Sequence, residues 1–120
     1  MENTSNSKNN GTKLGIDIGG TSVKFAIVQN EKIVHKSSIL TEKNSCEKFL
    51  SDIAAECNKL KNEYKIDSVG VGTPGAIKHG LVTAINIPFN NTNLKEELES
   101  RIDLPVKVDN DANCAAYGEF

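Results

Sequence analysis

The sequence has no tryptophan, a single methionine, three prolines and an aromatic content of only 5%. No stretch approaches the roughly 18 consecutive apolar residues that a membrane span requires, and the first residues lack the apolar core of a secretory signal. These absences lead to the expectation of a cytoplasmic chain with no membrane partner, in which triplets such as Asn90-Asn91-Thr92 carry no glycosylation meaning. No block of Lys and Arg stands out, and the net charge is −2. A nucleic-acid grip needs a basic stripe to displace phosphate counterions, so no nucleic-acid partner is expected. The three cysteines, Cys46, Cys57 and Cys114, are odd in number and far apart. They offer neither a disulfide framework nor a Cys-x-x-Cys zinc pair, and each reads as a small buried apolar side chain.

What is present suits an ordinary globular domain: 38% hydrophobic and 25% charged residues over 120 positions, enough for one domain. Residues 1–12 are polar and rich in Asn and Ser, and read as a disordered tail. Residues 13–120 form the domain.

Residues 13–18, 23–28 and 33–40 read as three strands, separated by a glycine turn and by Asn30-Glu31. Connections this short favour an antiparallel meander. Helical periodicity follows over residues 46–63, where Phe49, Leu50, Ile53, Ala54, Cys57 and Leu60 fall on one face, with Ser45 as the N-cap. Residues 67–73 return to strand, and residues 76–87 read as a loose β-excursion turning at Lys78-His79-Gly80. Asn93 opens a second helix with Glu96 as a capping-box partner, and Glu97 and Arg101 form an i,i+4 pair. Residues 106–108 form a fifth strand, and a third helix begins at Asp111. The resulting α/β architecture is a mixed five-stranded sheet, antiparallel meander plus parallel strands, with flanking helices.

Three motifs carry chemistry. In Asp17-Ile18-Gly19-Gly20-Thr21-Ser22-Val23-Lys24, adjacent glycines let the backbone turn its N–H groups into one concavity that suits phosphate oxygens. Thr21 adds a hydroxyl, and Asp17 is placed to hold Mg²⁺ through water. Lys24 is either a source of positive charge or a residue of the sheet surface. The second motif, Gly70-Val71-Gly72-Thr73-Pro74-Gly75, has the letters of the dinucleotide fingerprint, but no helix starts within its glycines and no acidic residue follows at the ribose distance. It reads instead as a strand end whose glycines admit a ligand close to the backbone. The third, Asp109-Asn110-Asp111-Ala112-Asn113, runs from strand into helix; Asp111 and its neighbours are either caps or groups presented to a cleft. His35 and His79 lie outside every motif and read as solvent-facing.

Taken in order, LGIDIGGTSVKFAIV, VGVGTPGAI, the INIPF loop, LKEELESRIDLPVKVDNDAN and CAAYGEF resemble the ROK family (repressor, open reading frame, kinase). The family is a branch of the ribonuclease H-like, actin-like ATPase superfamily. The resemblance runs from Leu14 to Phe120 almost continuously. It implies the N-terminal lobe of a kinase that phosphorylates a hexose, most commonly glucose, with ATP and Mg²⁺, in a homodimeric full-length protein. It assigns Gly19, Gly20 and Thr21 to the nucleotide phosphates, Asp17 to the Mg²⁺ site, Asp111 to the catalytic base, and Gly75, Asn86, Asn110 and Asp111 to the sugar; Lys24, by its place in the motif, is counted with the cofactor-binding residues. The C-terminal lobe is expected to be absent: the family's later sugar ligands, structural Zn²⁺ motif and adenosine-binding glycines fall beyond residue 120. The family's repressors carry a helix-turn-helix ahead of this domain, for which residues 1–12 leave no room. A non-catalytic sugar sensor is the alternative, disfavoured because both Asp17 and Asp111 are present.

Overall fold

Alternation of buried and less buried positions along the first strand and most of the second gives each a core-facing side. In β1 (Thr12–Ile18) Leu14, Ile16 and Ile18 are buried while Lys13 and Asp17 are exposed. In β2 (Ser22–Gln29) Val23, Phe25 and Ile27 are buried while Lys24 is exposed. The structure, a computed structural model, describes residues 11–110; the expected third helix, with Asp111 and Cys114, and nearly all of the expected disordered tail lie outside them. Thr12 belongs to the sheet rather than to the tail. It is buried, its N–H donates to Asp67 Oδ2 at 2.9 Å, and its hydroxyl accepts from Gln29 Nε2.

The strands β1, β2 and β3 (Lys32–Leu40) form the expected antiparallel meander. Its second turn consists of Asn30 and Glu31, both with positive φ (54° and 65°), the two-residue geometry whose twist matches the flanking strands. A bulge in β3 leaves Val34 unpaired between Ile27↔His35 and Val28↔Ile33. Helix α1 (Cys46–Glu63) then crosses over to β4 (Ile66–Thr73), which pairs with β1 in parallel. The short hairpin β5 (Ala76–Lys78) and β6 (Leu81–Thr83) turns at His79-Gly80. Helix α2 (Leu94–Ile102) leads to β7 (Val106–Asn110), parallel to β4. The main sheet has the order β3-β2-β1-β4-β7.

Both helices start where their caps dictate. Ser45 accepts from the Lys48 N–H at 3.1 Å, and Asn93 Oδ1 accepts from the Glu96 N–H at 3.1 Å. Glu96 reaches the side-chain amide of Asn93 rather than its backbone, so the capping box is closed on one side only. The C-terminal carbonyls of α2 are satisfied by α1: Asn58 Nδ2 donates to Arg101 O and Lys61 Nζ donates to Ile102 O. Arg101 bridges Glu97 and Glu47, which ties the two helices together at their surface.

One core results, built from the buried face of the sheet and the apolar stripes of α1 and α2. Cys57 is fully buried within it, as expected, and burial pushes its thiol up to about 12. Cys46 departs from the expectation: it is only half-buried, with its sulfur 3.8 Å from the Thr92 hydroxyl. His35 departs too. It is half-buried, its ring 5.8 Å from that of Tyr64. His79, in its turn, is exposed.

Candidate functional site

Because β1, β4 and β7 run parallel, their carboxyl ends meet at one edge of the sheet, the side on which open α/β folds bind ligands. The glycine loop leaves β1 at this edge. Thr73 and Asn110 lie side by side there as the last residues of β4 and β7. One row of register crosses the sheet just below: Lys24 opposite Asp17, Asp17 opposite Gly72, and Gly72 opposite Asp109. Residues in one row share a face, so Asp17 and Lys24 stand on the face away from α1 and α2. Both are exposed, and among the described residues they form no ion pair with each other. Gly72 adds no side chain between Asp17 and Asp109, whose backbones are about 10 Å apart across two strand spacings.

The loop itself is closed by three hydrogen bonds. Gly19 donates its N–H to Ser22 O at 2.9 Å, Thr41 donates its N–H to Thr21 O at 2.9 Å, and the Thr41 hydroxyl donates to Gly19 O at 2.7 Å. The Gly19 N–H is therefore committed within the loop. A Cβ at Gly19 would lie 2.9 Å from Ser22 O, so the residue must be glycine for the loop to close. The Gly20 and Thr21 N–H groups and the Thr21 hydroxyl have no partner among the described residues, and the space around Gly20 is open. Three donors are thus left uncommitted in the loop from which the sequence leads one to expect a phosphate site. Thr41, buried at the end of β3, escaped sequence reasoning: a lone threonine after a strand carries no motif.

Gly75 has φ +94°, and a Cβ there would lie 2.3 Å from Thr83 O. The turn out of β4 into the β5–β6 hairpin therefore admits only glycine. Asn86 is exposed at the tip of the loop after β6, beside Ile85, which is 96% exposed. The loop is anchored from behind. Ala84 donates its N–H to Phe89 O at 3.0 Å, Ile87 and Phe89 are buried, and Phe89 stacks on Phe49 of α1.

A groove of about 590 Å³ opens at the opposite end of the sheet, lined in part by Lys13, Gly15, Ser68, Gly70 and Lys107. It contains none of the candidate residues, so volume alone does not locate the chemistry. Among the described residues no group of three or more His, Cys, Asp or Glu side chains is arranged to hold a metal ion, and no helix is long and apolar enough to cross a membrane.

The family model described as the ROK family matches residues 13–120. The chain belongs to the ROK family. Its relatives include a glucokinase of Streptomyces coelicolor, 34% identical over 113 residues, covering 92% of this chain and 36% of the relative. A beta-glucoside kinase of Listeria innocua is 41% identical over 112 residues, covering 86% of this chain and again 36% of the relative. Among solved structures, a ROK family glucokinase from Streptomyces griseus in complex with glucose and AMPPNP superposes with a TM-score of 0.82 at 34% identity. That match covers 91% of this chain and 36% of that one. The chain thus spans about a third of the length of these ROK sugar kinases. Its fold, with a mixed five-stranded sheet, is that of the N-terminal portion of these kinases, which have the actin-like ATPase fold.

Proposed function

We propose that the ROK protein carrying this chain transfers the γ-phosphoryl group of ATP to a hydroxyl of a hexose, with glucose the leading substrate. The observation that supports it is the meeting, at the carboxyl edge of β1, β4 and β7, of uncommitted donors at Gly20 and Thr21 with an exposed carboxylate at Asp17 and the strand end at Asn110. Kinase relatives that align over nearly the whole chain point the same way.

Phosphoryl transfer has a loose transition state, so catalysis consists mainly of positioning and electrostatics. The Gly20 and Thr21 N–H groups and the Thr21 hydroxyl fit the nucleotide phosphates, with Gly19 acting through loop shape and Lys24 adding positive charge to the same face. A single exposed carboxylate suits Mg²⁺, which keeps several waters, and Asp17 is the group that would hold it. Mg²⁺, when bound, neutralises charge on the phosphates. Asp111 is the proton acceptor for the attacking hydroxyl; it follows directly on Asn110 and lies outside the described residues. Asn86 and Asn110 offer amides that both donate and accept, as sugar hydroxyls require, and Gly75 offers its exposed backbone.

Both walls of a kinase cleft are needed, so the 120-residue chain alone is expected to be inactive. The whole protein is expected to be a cytoplasmic homodimer. The test is a coupled assay of ADP release by the full-length protein with ATP, Mg²⁺ and a panel of glucose, mannose, fructose, an N-acetylated hexose and a β-glucoside. Turnover that depends on a hexose supports the reading, and glucose ranking first supports the substrate. ADP release independent of every sugar would sink it.

A further inference from the structure

We propose that Thr41 is a positioning residue for the nucleotide, acting through the peptide plane between Gly19 and Gly20; this rests on the kinase reading above. In a planar trans peptide the carbonyl and the following N–H point in opposite directions. The Thr41 hydroxyl holds the Gly19 carbonyl at 2.7 Å from the β3 side of the loop. The Gly20 N–H is thereby aimed away from Thr41; it has no partner among the described residues, and a Cβ added at Gly20 would meet nothing within 4 Å.

Without that bond the plane has little to hold it. Glycines flank it on both sides, and glycine φ and ψ are the least restricted of any residue. A loop meant to receive anions must also keep its carbonyl oxygens out of the site, because an oxygen turned inward repels phosphate. Thr41 removes two of them together, Gly19 O through its hydroxyl and Thr21 O through its N–H. Its own position is fixed because Ser22 pairs with Leu40, which puts Thr41 one step beyond the ladder and opposite Thr21. The next residue, Glu42, accepts from the Asn44 and Ser45 N–H groups that lead into α1. The clasp is therefore anchored to the helix start as well as to the strand.

The test compares Thr41→Val, which keeps the shape and the backbone N–H bond but removes the hydroxyl, with Thr41→Ser, which restores the hydroxyl. Both are made in the full-length protein, and titration with AMPPNP and with glucose is read beside steady-state kinetics. The expected result is a weakening of AMPPNP binding of about tenfold in Thr41→Val, the scale of one lost buried hydrogen bond, with sugar affinity unchanged and Thr41→Ser close to wild type. Unchanged AMPPNP affinity in Thr41→Val overturns the proposal, as does an equal loss of nucleotide and sugar binding, which would mark general loosening of the fold. A wild-type protein that binds AMPPNP but turns over no sugar would sink the kinase reading while leaving the Thr41 comparison intact. A wild type that binds no nucleotide overturns both.

Discussion

Phe89 stacks on Phe49 with ring centroids 5.4 Å apart and planes 25° from parallel, and this pair fixes the loop that carries Asn86. Both rings are buried, so the loop between β6 and α2 hangs from the core at Phe89 and at Ile87 while its tip stays outside. Truncating Phe89 to Ala is expected to cost about 3–5 kcal/mol of stability, the usual range for a buried aromatic ring. If enough folded full-length protein remains, its KM for the sugar should rise more than its KM for ATP. Denaturant unfolding and steady-state kinetics check the two parts separately, and an unchanged sugar KM would detach the loop from substrate binding.

A gain in stability is expected at Glu31. Its φ of 65° places a bulky side chain in the left-handed region at the second position of the β2–β3 turn, a conformation that costs a non-glycine residue about 1 kcal/mol. Glu31→Gly produces the Asn-Gly pair that this turn favours. Chemical denaturation should show an increase of roughly 0.5–1 kcal/mol, and a decrease would mean that the Glu31 side chain makes a stabilising interaction of its own.

Cys57 sets an alkaline limit. Burial is the main reason its thiol is pushed up to about 12 from an ordinary 9.0, with the neighbouring Glu56 carboxylate adding to the shift. Above pH 9 the unfolded thiol loses its proton while the folded one keeps it, so the unfolded state binds fewer protons and stability falls as pH rises from 9 towards 12. At a pH of about 10 the loss is about 1 kcal/mol. Unfolding curves of wild type and Cys57→Ala at about pH 8 and about pH 10 should differ in this increment. Peptide mapping after iodoacetamide at about pH 8 should find Cys57 unlabelled until the protein unfolds.

Gly75 is expected to tolerate no side chain. Gly75→Ala would drive a Cβ to within 2.3 Å of Thr83 O in a backbone conformation that L-residues rarely adopt. The hairpin must shift or the fold lose about 2 kcal/mol or more, which thermal unfolding of the variant would read directly.

Much of this fold is legible in the sequence because its determinants are local. The meander follows from alternation and short turns, and α1 begins at Cys46 because Ser45 caps it and ends at Glu63 as its apolar stripe runs out. The parallel pairing of β4 with β1 follows from a crossover helix. What escaped was set by contacts between distant residues. The bulge at Val34 and the extra residue Asp67 opposite Thr12–Lys13 leave no local trace, and burial of the His35 flank depends on Tyr64 at the far end of α1. The site divides in the same way. Asp17, Gly20 and Thr21 are readable from a motif, whereas the commitment of the Gly19 N–H to Ser22 and the clasp by Thr41 need the fold.

The most direct test of the central claim is glucose-dependent ADP release by the full-length protein, measured for wild type and Asp111→Asn beside glucose titration of each. Wild-type turnover is expected to vanish when glucose is omitted, and Asp111→Asn to lose at least about 100-fold, the lower end of what a general base contributes, with glucose affinity retained. Turnover unchanged in Asp111→Asn would contradict the role of that carboxylate, and a wild type that binds glucose without consuming ATP would contradict the kinase reading itself.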